Sequence, residues 1–369
     1  MNRTNIIVTS LLCFATTFPA SAAFQYSLDT WMGDLNEVIG QRPLSHVIIP
    51  GTHDSATYGI SLDNVGLAIA QGGDITQWAN LALPTVVLWS VAQTLTVEQQ
   101  LLAGVRVFDI RVAWRDQKKF WGVFYDGAKD AFGVEQPEGV QGPKGAETYY
   151  FKNFYTWHGA YSVKLEDFIN PIKDFIDKHP SEVVILKFGG FINMSDQKYK
   201  DHEALIKKTF GNLIAYKATP HSTLNELVAQ NTRVIVGYDN AEHAGPFWAP
   251  DNFCGGTWPN KRTYPELLGF LKERTQDRLS PAGDTLAKCT GKLWNTSTEI
   301  TPDGDMIKNS LNIFDPNRLK SLYEADKTID KKAIIDYLRK NNINPNVVTT
   351  DFMNADLARM IIDLNLVIK

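Results

Sequence analysis

Cysteine is scarce, three residues in a chain of 369. None of the three has neighbouring His or Cys at metal-ligand spacing, so a zinc site is excluded as an organising feature. There is no Lys/Arg-rich run and no basic stripe interleaved with aromatics, and the formal net charge is −4. Nucleic acid therefore lacks its electrostatic footprint and is excluded as a partner. No G-x-G-x-x-G follows the first β-type run, which argues against a dinucleotide fold. Internal repeats and low-complexity segments are missing. Long hydrophobic runs are missing too, because the apolar stretch at 6–18 is short and broken by Thr9, Ser10, Thr16 and Thr17, too little to span a bilayer.

What the N-terminus does have is a basic Arg3, that short apolar stretch, and Ala20 and Ala22 in an A-x-A arrangement. This predicts a signal peptide over 1–22, cleaved after Ala22, and a secreted or periplasmic protein. Cleavage removes one positive charge, Arg3, taking the net charge from −4 to −5, and leaves Cys254 and Cys289. In an oxidising compartment these two could form one disulfide, and the sequence leaves open whether they pair. With 44% hydrophobic and 21% charged residues, the rest has enough core for one large domain or two small ones.

Helical and β-type segments alternate from there on. A first helix is expected over 31–39, with Trp31, Leu35, Val38 and Ile39 on one face. A buried strand at 47–49 is read as stopped by Pro50-Gly51. Thr96 and Gln99 resemble a capping box, and 105–111 follows as a strand. A β-type run at 154–157 ends in His158. Leu165, Phe168, Ile169, Ile172, Phe175 and Ile176 keep helical spacing up to Pro180. Further strands are expected at 183–186, 232–238, 292–298 and 347–350, and further helices at 198–210, 265–275 and 331–340. Seven or eight strands separated by helices predict an α/β fold, a distorted TIM barrel in a single domain over 23–369. Segments at about 60–93 and 112–153 read as insertions at its mouth.

Ionisable residues stand where five apolar runs end: His53 with Asp54, Asp109 with Arg111, His158, Lys187, and Asp351. In a barrel these ends converge on one face, where such folds place their chemistry. Two histidines can divide proton transfer, one as base and one as acid. A guanidinium can brace a phosphate, and carboxylates can orient the imidazoles. Such a set requires no metal.

At these residues the sequence resembles the X domain of phosphatidylinositol-specific phospholipases C, particularly the bacterial branch. The resemblance is carried by P-G-T-H-D-S at 50–55, G-V-R-V-F-D-I-R at 104–111, His158-Gly159, and H-P-S-E at 179–182 running into Val183 to Lys187. It implies a distorted TIM barrel and attack of an inositol hydroxyl on the adjacent phosphorus, which expels diacylglycerol and leaves a cyclic inositol phosphate. It implies His53 as general base with Asp351 orienting it, Arg111 on the phosphate, and His158 as general acid supported by Asp54. Arg111 and Asp54 stand where calcium-dependent members carry an acidic ligand and an Asn, which implies calcium independence and no cofactor. Asp109 is read first as a buried partner of Arg111. Lys187 matches an inositol-contacting Lys; beyond it the sequence departs from the bacterial pattern, and Tyr238-Asp239, Trp258 and Asn260, at expected strand or loop ends, complete with Asp109 the expected substrate-binding set.

The expected partner is phosphatidylinositol or a related inositol lipid, met by transient binding to a membrane surface, with the oligomeric state open. The apolar segment 66–91 fits either an interfacial element or a buried helix pair capping the barrel. Two other readings stay open: a metal-dependent glycerophosphodiester phosphodiesterase or sphingomyelinase-D-like barrel enzyme, and a catalytically silent lipid- or protein-binding barrel.

Overall fold

The computed structural model describes residues 25–62, 83–120, 123–126, 149–255, 257–279, 289 and 291–368. The expected signal peptide at 1–22 lies outside the described residues, as do 63–82 and 127–148 of the two expected insertions.

The strands are β1 (Ile49–Thr52), β2 (Val107–Phe120), β3 (Val123–Asp126), β4 (Tyr149–His158), β5 (Ala160–Lys164), β6 (Val184–Ile192), β7 (Val234–Tyr238), β8 (Asn295–Ser297) and β9 (Val347–Thr350). Six of them run parallel in the order β7-β6-β2-β1-β9-β8. Between β7 and β8 the ring is carried only by isolated pairs, Gly237 with Trp248 and Phe253 with Leu293. Among the described residues the named strands therefore do not close, which is the distortion of the barrel.

Period-two alternation sorts the strand residues into two environments. Phe108, Ile110 and Val112 of β2, Leu186 and Phe188 of β6, and Val236 and Tyr238 of β7 share a buried cluster with Phe168, Ile172, Ile206 and Phe210 of the surrounding helices. The residues between them face the barrel axis. There Val107, Ile185, Ile235, Leu293 and Val347 meet Trp31, Leu35 and Ile39. The latter three carry the expected first helix, which is two four-residue helices, Trp31–Asp34 and Asn36–Ile39, separated at Leu35.

Two local expectations change. The pair Pro50-Gly51 does not stop β1, which continues to Thr52 with Gly51 registered between Val107 and Thr349. A Cβ on Gly51 would lie 3.1 Å from Thr349 Cγ2 and 3.2 Å from Val107 Cβ, so glycine here permits close strand approach. The segment 112–153 is also no simple insertion. Its first part extends β2, and its last part is β4, which pairs antiparallel with β2 from Lys119↔Tyr149 down to Val112↔Thr156.

A buried ion pair ties the floor together. Arg106 donates to Glu182 Oε2 at 2.8 Å and to the carbonyls of Leu101, Val105 and Asp29, while Glu182 Oε1 accepts from Gly33 N–H. Cys254 and Cys289 are joined in a disulfide, with their Cα atoms 5.0 Å apart.

Candidate active site

His53 and Asp54 follow β1 directly, yet both reach the mouth. Successive strand residues point to opposite faces, and the left-handed backbone of Asp54, φ 44°, breaks that alternation. Asp is among the residues that tolerate this region. The turn is clamped by its own motif: Ser55 N–H donates to Asp109 O, Asp109 N–H donates to Ser55 Oγ, and Thr52 Oγ1 donates to Gln100.

Asp54 is the centre of the site. Its Oδ1 lies 2.6 Å from Arg111 Nε, and its Oδ2 lies 3.2 Å from His53 Nε2 and 3.3 Å from His158 Nε2. His53 Nδ1 lies 2.8 Å from Asp351 Oδ1. His158 Nδ1 lies 2.9 Å from the carbonyl of Ser90. That carbonyl closes the helix Leu83–Ser90, so the described end of the 60–93 segment orients His158, with Val86 and Trp89 buried and Leu88 exposed.

His158 itself arrives differently from the expectation of a parallel strand end. β4 runs antiparallel to β2 and descends into the mouth, delivering His158 at its last residue.

The electrostatics follow from these contacts. Burial alone raises a carboxyl, but Arg111 and the two imidazoles hold Asp54 at about 2. Burial pushes His53 down, and Asp54 and Asp351 outweigh it, so His53 is raised well above the ordinary histidine value. Burial lowers His158, and the cations Arg111 and His53 add to that against Asp54. Ser90 O can only accept, so a neutral His158 keeps its hydrogen on Nδ1 and leaves Nε2 bare. When the pair holds one proton, that proton therefore favours His53 over His158.

A cavity of about 200 Å³ opens beside this group, lined by His53, Asp109, Arg111, Lys187, Trp258 and Glu299 among others. Of the sequence-predicted residues, His53, Asp54, Arg111, His158 and Asp351 come together, and Lys187, Asp109 and Trp258 border the same space. Asp109 is not the close partner expected for Arg111. The guanidinium pairs with Asp54, while Asp109 lies 3.9 Å from Lys187 Nζ.

Tyr238 and Asn260 are corrected. Tyr238 is 1% exposed and is hydrogen-bonded to buried His202, because its parity on β7 turns it toward the helices. The next residue, Asp239, faces the mouth instead and accepts from Gly190 N–H at 2.7 Å. Asn260 is an exposed loop residue with φ 47° and does not line the cavity.

Two residues were missed. Gln93 donates to the carbonyls of His53 and Thr350 and accepts from Met353 N–H, which locks the ends of β1 and β9 together. Glu299 follows β8 and is 1% exposed. The same strand-end rule that picked out Asp351 would have found Glu299.

Ligand-capable atoms of His53, Asp54 and Asp109 all lie within 4.8 Å of one another. They fit a divalent ion poorly, because Asp54 is already paired with Arg111 and a cation there would face the guanidinium at close range.

Residues 75–236 match the family described as "Phosphatidylinositol-specific phospholipase C, X domain", a span that holds Arg111, His158 and Lys187. The chain is 30% identical over 259 residues to human PI-PLC X domain-containing protein 1, covering 66% of this chain and 67% of that protein. It is 25% identical over 343 residues to mouse PI-PLC X domain-containing protein 2, covering 91% and 87%. The fold is similar to that of the phosphatidylinositol-specific phospholipase C from Listeria monocytogenes, at TM-score 0.57 and 17% identity over 92% of this chain and 99% of that one. A variant of the enzyme from Staphylococcus aureus matches with TM-score 0.57 at 14% identity, over 92% and 99%. The chain belongs to the phosphatidylinositol-specific phospholipase C X domain family.

Proposed function

We propose that the chain is an exported, metal-independent phosphodiesterase that cleaves phosphatidylinositol-type lipids into diacylglycerol and a cyclic inositol phosphate. The observation that carries this reading is the convergence of Arg111 and both histidine Nε2 atoms on Asp54 at the edge of one cavity. Family membership supports the substrate class.

In the proposed reaction, His53 Nε2 takes the proton of an inositol hydroxyl while Asp351 holds Nδ1. The freed oxygen pair forms a bond to phosphorus and the bond to the diacylglycerol oxygen breaks. That oxygen takes its proton from His158 Nε2, and Arg111 balances the charge gathering on the phosphate. The working arrangement is thus the reverse of the resting one, with the proton on His158. An incoming phosphodiester anion favours the exchange by bringing negative charge against His158 and Arg111.

The role of Arg111 supports metal independence, since it supplies positive charge where a cation would otherwise sit. Hydrolysis of labelled phosphatidylinositol vesicles, with EDTA or with added calcium, tests the reading in the native chain and in His53→Ala. Activity indifferent to EDTA and nearly silent in the variant is expected. Loss of activity in EDTA would overturn metal independence, and full activity in the variant would overturn His53 as base. Export is tested by the N-terminus of the mature chain, expected to start at Ala23.

A further inference from the structure

Glu299 lies two residues past the last residue of β8 and in phase with Asn295 and Ser297, which line the same cavity. That phase turns its carboxyl toward the barrel axis. The side chain is buried, and its Oε2 has no hydrogen-bond partner among the described residues. A buried carboxyl oxygen without a hydrogen-bond partner is costly when charged, which favours the neutral acid or a nearby positive charge.

Its charged surroundings come from two neighbouring strand ends. His53, at the end of β1, lines the same cavity, and Asp351, at the end of β9, holds the Nδ1 of that imidazole; both act electrostatically on Glu299. Behind Asp351, Lys331 donates to the Asp351 carbonyl and pairs with Asp326. Burial pushes the Glu299 carboxyl up to about 7, with His53 drawing it down and Asp351 pushing it further up. The charge of Glu299 therefore changes in the neutral range, next to the imidazole that carries the resting proton.

We propose that Glu299 is a positioning residue for the proton of His53, acting with Asp351: charged, it retains that proton on the imidazole, and neutral, it releases His53 to act as base. The consequence for turnover rests on the phosphodiesterase reading. The coupling itself does not.

The test is an NMR titration of the His53 imidazole in the full chain, native against Glu299→Gln, without substrate. The native curve is expected in two steps, the earlier one coinciding with the titration of the Glu299 carboxyl. The variant is expected to keep only the later step, with proton binding at His53 weakened threefold or more. Glu299→Met, which removes the charge without an amide, is expected to shift His53 the same way. Superimposable native and variant curves overturn the proposal. If the variants do not fold, the native chain decides: His53 and Glu299 curves without a common inflection overturn it equally. In vesicle assays Glu299→Gln is expected to move the alkaline limb of kcat/KM to lower pH. A native chain that hydrolyses nothing would remove the functional reading and leave the coupling measured.

Discussion

The rings of His53 and His158 stand 6.3 Å apart at 72°, edge toward face, with both Nε2 atoms turned to one oxygen of Asp54. One carboxylate oxygen thus mediates between two imidazoles whose proton affinities are driven apart, His53 upward and His158 downward. Pairs of this kind titrate as a unit, so apparent values belong to the pair.

The pH profile should show this directly. In the proposed reaction only the singly protonated pair is productive, so kcat/KM is expected to fall as pH drops through the lowered His158 value, where both rings are charged. It should fall again as pH rises through the raised His53 value, where both are neutral. Asp351→Asn removes one of the three carboxylates, with Asp54 and Glu299, that raise His53. Its alkaline limb should therefore move to lower pH while the acid limb stays. A profile unchanged by Asp351→Asn would show that Asp351 does not act on His53.

Arg111 should behave as a built-in cation. Arg111→Ala is expected to cut turnover by about 10²–10³-fold through lost charge stabilisation. Arg111→Asp should do more than lose activity. It removes the guanidinium from Asp54 and leaves His53, Asp54, Asp109 and a new carboxylate around one space. Calorimetry with calcium should then show binding absent from the native chain. Calcium binding of equal strength in both would mean that Arg111 does not occupy the cation position.

Much of this was readable in the sequence, for reasons that differ by element. The strand at 347–350 and the helix at 331–340 were expected with the bounds they have, because an apolar run and an amphipathic stripe are local signals. The convergence of His53, Arg111, His158 and Asp351 followed from strand ends in a barrel. The direction of β4 was not readable, since an apolar run looks the same whether it pairs parallel or antiparallel. Tyr238 was misplaced by one residue of parity, which on a strand exchanges one face for the other. Gln93 was invisible because its partners are backbone carbonyls from segments distant in sequence, and these leave no residue pattern.

The pairing of Arg106 with Glu182 explains part of the H-P-S-E and G-V-R motifs without any chemistry. Both side chains are fully or almost fully buried, and the contact is 2.8 Å. Glu182→Ala strands a guanidinium in the floor of the barrel, and a loss of about 3–5 kcal/mol is expected for breaking one side of such a pair. Denaturant unfolding measures it. A loss below about 1 kcal/mol would place the pair with ordinary surface bridges.

The last prediction concerns how the mouth meets its proposed lipid. Leu311, Ile313 and Phe314 are 56%, 71% and 88% exposed. They come after β8 and before the helix Lys331–Lys340, whose first residue donates to the Asp351 carbonyl, so this stretch stays on the side of the strand ends that carry Glu299 and Asp351. Leu88, on the helix after β1 whose Ser90 carbonyl holds His158, and Trp258, in the loop after β7 at the cavity, are exposed as well. Single exposed apolar residues are ordinary, but several on the loops around one mouth present an apolar rim. Burying a Phe or Ile side chain is worth about 1.5–3 kcal/mol when complete, so partial insertion of Phe314 and Ile313 together should strengthen vesicle binding by at least tenfold. Ile313→Ser with Phe314→Ser should weaken sedimentation with phosphatidylinositol vesicles by that factor. Hydrolysis of a water-soluble inositol phosphodiester should stay unchanged, because neither residue lines the cavity. If vesicle binding is unaffected, the rim is not the surface that meets lipid. If both readouts fall together, the two residues shape the site instead.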